Sequence, residues 1–265
     1  MSSIAGPLGR AFETEKPTGK AIEIGKLEAN PLIVLRRLAV LDKNGALDEP
    51  AQRKLLEWAE RSDLGQKRTL VTPVTRRRTE ALDRLRARGH TVIRLRAQPQ
   101  WRLVVGLGER DNPHEVGITL HGSYGWPIIP GCSLKGLTAS WAAKLIGRDS
   151  PVYQRIFGAI RQRGSVRFLD ALPAGAPVKV VLDVLTPHYQ PYYRGEEPPA
   201  EYHNPIPVHF LTVTGAFTVD LTGHLARDVE QAAEWLSAAA GELGAGAKTS
   251  AGYGYLTLTR LGEEP

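Results

Sequence analysis

A single cysteine, Cys132, stands among 265 residues, which excludes an internal disulfide framework and any thiolate-bound zinc cluster. Long apolar runs are missing as well. No stretch approaches the ~20 residues of a membrane-spanning helix, and residues 1–20 lack an apolar signal core, so the expectation is a cytoplasmic chain with no membrane contact. No His-x-x-x-His or Asp-x-Asp pairing falls on a clear helix or strand, which leaves a metal site weakly supported and no cofactor expected. A nucleotide-binding P-loop is excluded by order and spacing. In the glycine-rich run Gly241–Gly254, Ala247 stands where a glycine must precede Lys248, and the run follows a helical pattern and leads into a strand, the reverse of what that motif needs.

What is present describes a globular protein. With 42% hydrophobic and 23% charged residues, the chain can bury a substantial core as one large domain or as one domain with an appendage. Its 34 Lys+Arg against 28 Asp+Glu give a net charge of +6, a balance that favours an anionic partner. Residues 1–20 read as a flexible arm rich in Gly, Pro, Ser and Lys. Residues 21–98 read as a partly helical extension packed on the core, and 99–265 as the core itself, carrying an insert at 187–207. Within the extension, Glu49–Arg61 has helical spacing, and a second helix is expected from Pro73 to Arg88 with proline in its first turn. That second helix carries Arg76, Arg77, Arg78, Arg84, Arg86 and Arg88. This is either a solvated face or a contact for RNA or an acidic subunit.

Two strand candidates fall between Thr91 and Gly108, Trp101–Leu107 being the stronger by its β-branched and aromatic content. A helix follows Cys132 with Ser133 as its natural N-cap. Gly164–Leu172 and Val178–Thr186 then read as a hairpin turned through Pro173–Pro177. Val208–Leu221 reads as a strand bent at Gly215. Val229, Ala232, Ala233, Leu236, Ala240 and Leu243 mark the last helix, and Tyr253–Leu261 the last strand. The order strand, helix, strand, strand, helix, strand is the split βαβ arrangement: an α+β, ferredoxin-like fold with an antiparallel sheet and helices on one face.

Two segments carry chemistry. In the glycine run, Gly244, Gly246 and Gly252 can take positive φ and bring amides close to an anion, while Lys248, Thr249 and Ser250 add one charge and two hydroxyls. The plainer alternative is a helix C-cap followed by a loose connection. In Ile128-Ile-Pro-Gly-Cys-Ser-Leu-Lys-Gly136, a turn delivers Gly131, Ser133 and Lys135 to a helix start, where free amides and the dipole attract phosphate. The alternative there is an ordinary capped helix. For Asp170 and Asp183, sheet pairing or contact with Arg167 is the default explanation.

These two segments, with Leu120-His-Gly-Ser-Tyr-Gly-Trp-Pro-Ile-Ile-Pro-Gly131, Val166-Arg-Phe-Leu-Asp-Ala171, Asp183-Val-Leu-Thr-Pro-His188 and Asn204-Pro-Ile-Pro-Val-His-Phe210 in the same order, resemble the RAMP proteins of type III CRISPR systems, in particular those of type III-B (Cmr) effector complexes. The resemblance runs from about Trp101 to Leu258. It implies the ferredoxin-like (RRM-like) RAMP fold with the insert as a thumb, and a non-catalytic subunit that holds guide RNA near its 3′ end for antiviral defence. It also implies partners: guide and target RNA, the repeated backbone RAMP, the small helical subunit and a terminal RAMP. By carry-over, Gly131, Ser133, Lys135, Gly244, Gly246, Lys248, Thr249, Ser250 and Gly252 would hold the RNA backbone. The alternative within the same superfamily is a metal-independent endoribonuclease using His121 and His188 as acid and base. A pure interaction protein is the third reading.

Overall fold

Thr91–Pro99 buries Ile93, Leu95, Ala97 and Pro99 and turns Arg94, Arg96 and Gln98 to the other side, the period-two pattern of a strand between layers. It pairs antiparallel with Leu256–Arg260 on one edge and with Phe217–Gly223 on the other. It is therefore an inner strand of the sheet.

The computed structural model describes residues 3–5, 30–42, 44–45, 48–61, 64, 66, 68–107, 117–176, 178–188, 190–201, 205 and 207–262. In chain order these form β1 (Ser3–Ala5), α1 (Pro31–Arg37), β2 (Ala39–Leu41), α2 (Glu49–Arg61), α3 (Arg68–Ala87), β3 (Thr91–Pro99), α4 (Gly131–Ile146), α5 (Pro151–Phe157), β4 (Gly158–Ala159), β5 (Gln162–Arg163), β6 (Val166–Phe168), β7 (Leu172–Pro173), β8 (Lys179–Leu185), α6 (Gln190–Tyr193), β9 (Val208–Thr214), β10 (Phe217–Gly223), α7 (Ala226–Glu242) and β11 (Leu256–Arg260). The main sheet has the order β11-β3-β10-β6, with β7 also on β10. A separate two-stranded sheet joins β8 to β9.

One face of the main sheet is covered by α4 and α7. The buried residues of α7, among them Val229, Ala232, Ala233, Leu236 and Ala240, recur at helical spacing and join Leu95, Phe217, Val219, Leu221 and Leu134 in one core. These are the helices expected on one face. The opposite face has a cover of its own near its middle. Arg94 and Asp220 are register partners that point away from the core, and Arg78 of α3 reaches down to the same carboxylate, both guanidinium Nε atoms lying 2.9 Å from Asp220. Asp220 is 1% exposed, so this clamp fixes α3 to the sheet.

Four expectations need correction. The boundary at residue 99 cuts through the core: β3 is an inner strand, and Trp101–Leu107 contributes only isolated bridges, Leu103 to Val213 and Val104 to Gly246. Leu103, Val104 and Val105 are all buried, without alternation, because this segment crosses from the main sheet to the smaller one. Next, β8 does not form a hairpin with the 164–172 segment. It pairs over seven residues with β9, from Lys179↔Thr214 to Leu185↔Val208, while β6 and β7 lie along β10. The chain after β7 thus leaves the main sheet for the smaller one. Third, α3 starts at Arg68, so Pro73 lies inside it rather than in its first turn. Its missing N–H costs one bond near the helix start. Finally, of the arm expected over 1–20, Ser3–Ala5 pairs as a strand with Ala39–Leu41; the rest lies outside the described residues.

The bend at Gly215 is present. Its φ of +115° turns the chain from β9 into β10, and a Cβ there would come to 3.1 Å from the Val178 backbone. On the outer edge of β8, Gln66 donates to the Val178 carbonyl and accepts from its N–H, both at 2.8 Å. Glu60 of α2 accepts the Leu182 N–H at 3.0 Å.

Candidate nucleic-acid interface

Topology brings the two expected binding segments to one end of the sheet. β3 ends at Pro99 opposite Leu256, where β11 begins, so the glycine loop that precedes β11 sits at that end. Ile129, just ahead of α4, bridges to Ala171, and the adjoining Leu172 pairs with Thr218 near the start of β10. The start of α4 therefore lies at the same end, toward the opposite edge.

The glycine loop is a closed structure. Its base is tied by Ala245 N–H to the Gly254 carbonyl at 2.7 Å, and it is held to the neighbouring segment by Gly254 N–H to Arg102 and Ala247 N–H to Val104, both at 2.8 Å. Inside it, Ala251 and Tyr253 amides donate to the Lys248 carbonyl and the Gly252 amide to that of Thr249. These six amides are spent on the protein, so a main-chain cradle for an anion would draw on the remaining amides of the run. The missing Cβ atoms are explained in the same way. A side chain at Gly246 would overlap the Val104 carbonyl, one at Gly254 the Ala245 carbonyl, and one at Gly244 would press on Thr249. Gly252, at φ +89°, alone among the glycines of this loop with positive φ faces open space. What the loop presents outward is a crown: Lys248 in the left-handed region at φ +61°, then Thr249, Ser250 and Gly252.

Beneath the crown lies a cluster that the default explanation of Asp183 missed. Arg102 Nη1 lies 2.6 Å from Asp183 and the Tyr253 hydroxyl donates to the same carboxylate oxygen at 2.8 Å. Burial pushes the Asp183 carboxyl up, but the hydrogen bonds from Tyr253, the Val184 amide and Arg102, with the charge of Arg102, outweigh it and hold it below its ordinary value. Burial and the bond to Asp183 push the Tyr253 hydroxyl up to about 12. Tyr253 meets Trp101 at 4.8 Å and the edge of Phe210 at 5.6 Å between centroids, and Lys248 Nζ stands 4.9 Å over the Phe210 ring. This cation-π contact positions the lysine without neutralising it. The Cys132–Gly136 and Gly241–Gly254 runs gave no sign of this cluster, because its members come from four distant segments.

At the start of α4 the cap is Pro130, with no side-chain bond from the cap residue, and Ser133 is the third helical residue. Ser133 is thus not the N-cap. The Gly131 N–H donates to Asp170 Oδ1 at 2.7 Å, so a carboxylate from beyond β6 already occupies the first amide. Gly131 is buried, and a Cβ there would overlap the Phe168 carbonyl, which gives its glycine a packing cause. Asp170 is therefore a cap rather than a partner of Arg167. Lys135, half-buried in the second turn, makes no ion pair among the described residues.

His121 lies in the turn ahead of α4, stacked on Tyr124 at 4.7 Å. Its Nδ1 accepts the Ser123 and Tyr124 amides at 3.2 and 3.4 Å. Burial lowers its pKa, opposed by the charge of Asp170. His188 is exposed beyond the end of β8. Among the described residues no group of three or more His, Cys, Asp or Glu side chains is placed to hold a metal ion, and no helix is long and apolar enough to cross a membrane.

The family model of the RAMP superfamily matches residues 69–257, a span that takes in α3 and β3 as well as the later core. Among characterised proteins the chain is similar to the CRISPR system Cmr subunit Cmr6 of Pyrococcus furiosus, at 31% identity over 59% of this chain. The match covers 65% of that relative's length, just under two thirds. A chain in the cryo-EM structure of the type III-B Cmr-beta bound to cognate target RNA superposes with a TM-score of 0.66 at 23% identity, over 80% of this chain and 72% of that one. This second likeness is one of fold.

Proposed function

The chain belongs to the RAMP superfamily, and on that premise we propose that it is a non-catalytic RNA-binding subunit of a type III-B CRISPR effector complex, holding guide RNA near its 3′ end. The similarity to a Cmr subunit, and to a chain of an assembly bound to target RNA, supports guide and target RNA as partners, with the repeated backbone RAMP, the small helical subunit and a terminal RAMP as neighbours.

The observation that carries the reading is the crown of the glycine loop. Lys248, Thr249 and Ser250 stand on a self-supporting loop at the same sheet end as Ser133 and Lys135, so charge and hydroxyls from both edges face one strand of sugar-phosphate. Gly131, Gly244 and Gly246 then shape the two segments, and contact passes to their side-chain-bearing neighbours and Gly252. Sequence is read by the guide's base pairing, and this chain grips backbone.

Lys135→Ala and Lys248→Ala each weaken binding of single-stranded RNA, and each lowers the slope of log affinity against log salt by about one. Unchanged affinity and slope in both variants remove the proposal. The Nδ1 lone pair of His121 is taken by two amides, which argues against this residue as the base that accepts a 2′-hydroxyl proton. RNA cutting by the purified chain, lost in His121→Ala or His188→Ala with assembly intact, would replace this reading with the endoribonuclease.

A further inference from the structure

At the far end of the sheet from the glycine loop, His90 and His224 lie side by side, their ring centroids 3.8 Å apart. Register puts them there. Thr91 pairs with Gly223, so the residues just outside that pair are neighbours, and the next pair inward joins Val92, Thr222 and Arg167 across three strands. By alternation His90, Thr222, His224 and Arg167 project from the face of Arg94 and Asp220, just past the point where α3 ends. Arg88 stands in the turn between α3 and β3.

Two polar atoms in this corner, His90 Nδ1 and Thr222 Oγ1, are buried without a hydrogen-bond partner, and they are the two such side-chain atoms among the described residues. Buried polar groups in folded proteins are paired as a rule, so two orphans in adjacent rows mark a place for a polar guest. The positive charges around the two atoms favour an anion as that guest. Burial, and then the like charges of His224, Arg167 and Arg88, hold the His90 pKa below its ordinary value. Elsewhere the protein supplies its own carboxylate to part-buried arginines: Asp220 to Arg78 and Arg94, Asp183 to Arg102, Asp228 to Arg155. Here Arg88, Arg167, His90 and His224 have no carboxylate partner among the described residues. The negative end of the α3 dipole accounts for Arg84, Arg86 and Arg88. It does not account for Arg167 or His224, which arrive on other strands.

We propose that this corner binds a phosphate of an RNA backbone, as a second grip remote from the glycine loop. The proposal rests on the RNA-binding reading above. Residues from the α3 exit, the lead into β3, β6 and the end of β10 meet at this corner, and a phosphate can accept from several such donors at once. β3 spans nine residues, so at ~3.3 Å per residue the two grips lie about 30 Å apart along the sheet. One strand passing both would run beside the basic outer flank of α3.

The test uses the full chain and two probes, inorganic phosphate and a labelled single-stranded oligouridine. In histidine NMR, His90 titrates below its ordinary value in the free protein and moves upward with either probe. Arg167→Ala, at an exposed position, and His224→Gln abolish that movement. Arg167→Ala also lowers the salt slope of RNA binding by about one, additively with Lys248→Ala, and Arg167→Lys restores it. A His90 resonance indifferent to both probes overturns the site. Movement with inorganic phosphate alone, with RNA affinity unchanged in Arg167→Ala, overturns the RNA assignment. Polyglutamate displacing phosphate at equal charge concentration overturns it in favour of an acidic protein partner. If neither Lys248→Ala nor Arg167→Ala alters RNA binding, the functional reading fails, and the inorganic phosphate arm still decides whether the anion site exists.

Discussion

Replacing Gly246 by alanine separates two causes that a glycine can have. At φ +85° any L-residue is strained, by roughly 1–2 kcal/mol, and the smaller entropy of the unfolded alanine chain returns about 0.4–1. Gly252, at φ +89°, carries the same strain with nothing within 4 Å of its absent Cβ, so Gly252→Ala should cost about 1 kcal/mol. Gly246→Ala has a further cost. Its methyl overlaps the Val104 carbonyl, and that same carbonyl accepts the Ala247 N–H at 2.8 Å. Relief of the overlap withdraws the carbonyl and breaks the tie. Val104 is wholly buried, so the orphaned groups add about 1–3 kcal/mol, for a total near 2–4. Urea unfolding followed by circular dichroism measures both variants, with m-values compared to confirm that ΔG and not compactness has changed. Hydrogen exchange at Ala247 should quicken in Gly246→Ala and stay protected in Gly252→Ala. Equal penalties for the two substitutions would refute the argument that the loop is closed on Arg102–Val104.

Asp220→Ala leaves Arg78 and Arg94, each about a fifth exposed, facing one another without their shared carboxylate; a loss of about 3 kcal/mol in the same assay is expected, and a loss under about 1 would show that α3 is not fixed by this clamp. Asp170→Ala should lower stability by about 1 kcal/mol through its cap on α4, whereas Ser133→Ala should be close to neutral; the opposite ranking would return the cap to Ser133. The folded Asp183 carboxyl titrates below its unfolded value, so its contribution is present above the ordinary carboxylate range and is lost as pH falls through the folded value; Asp183→Asn should flatten the acid limb of stability against pH. Tyr253 runs the other way: with its pKa raised from 10.0 to about 12, its contribution is present below 10 and is lost as pH climbs toward 12, and Tyr253→Phe should remove that alkaline dependence. Unaltered limbs in these two variants would remove the Asp183 cluster as a determinant of stability.

Local periodicity carries the long helices, while the short α1, α5 and α6 escape it. The spacing from Val229 to Leu243 places α7, and Gly215 marks the bend into β10, because both signals lie within the segment that they shape. Pairing is different. Between Thr91 and Gly108 composition favours Trp101–Leu107, yet Thr91–Pro99 becomes an inner strand, and its partners, Phe217–Gly223 and Leu256–Arg260, lie more than a hundred residues away. The hairpin assigned to 164–186 failed on the same ground: neighbours in sequence need not be neighbours in the sheet. In the glycine loop the need for positive φ at Gly244, Gly246 and Gly252 was legible. Which way the absent Cβ atoms face was not, and at Gly246 and Gly254 they face the protein. Asp170 and Asp183 were visible as strand carboxylates, while their partners, the Gly131 amide and the pair Arg102 and Tyr253, depend on tertiary placement.

Because β8 has, among the described residues, a strand on one side only, the amide of Gln66 at Val178 and the carboxylate of Glu60 at Leu182 stand in for a neighbour along its rim. They occupy the very main-chain groups that another molecule's extended segment would seek. Gln66 and Glu60 thereby act as guards against intermolecular β-addition. Loosening these two contacts would leave a free rim on the small sheet, a template from which fibrous aggregates grow.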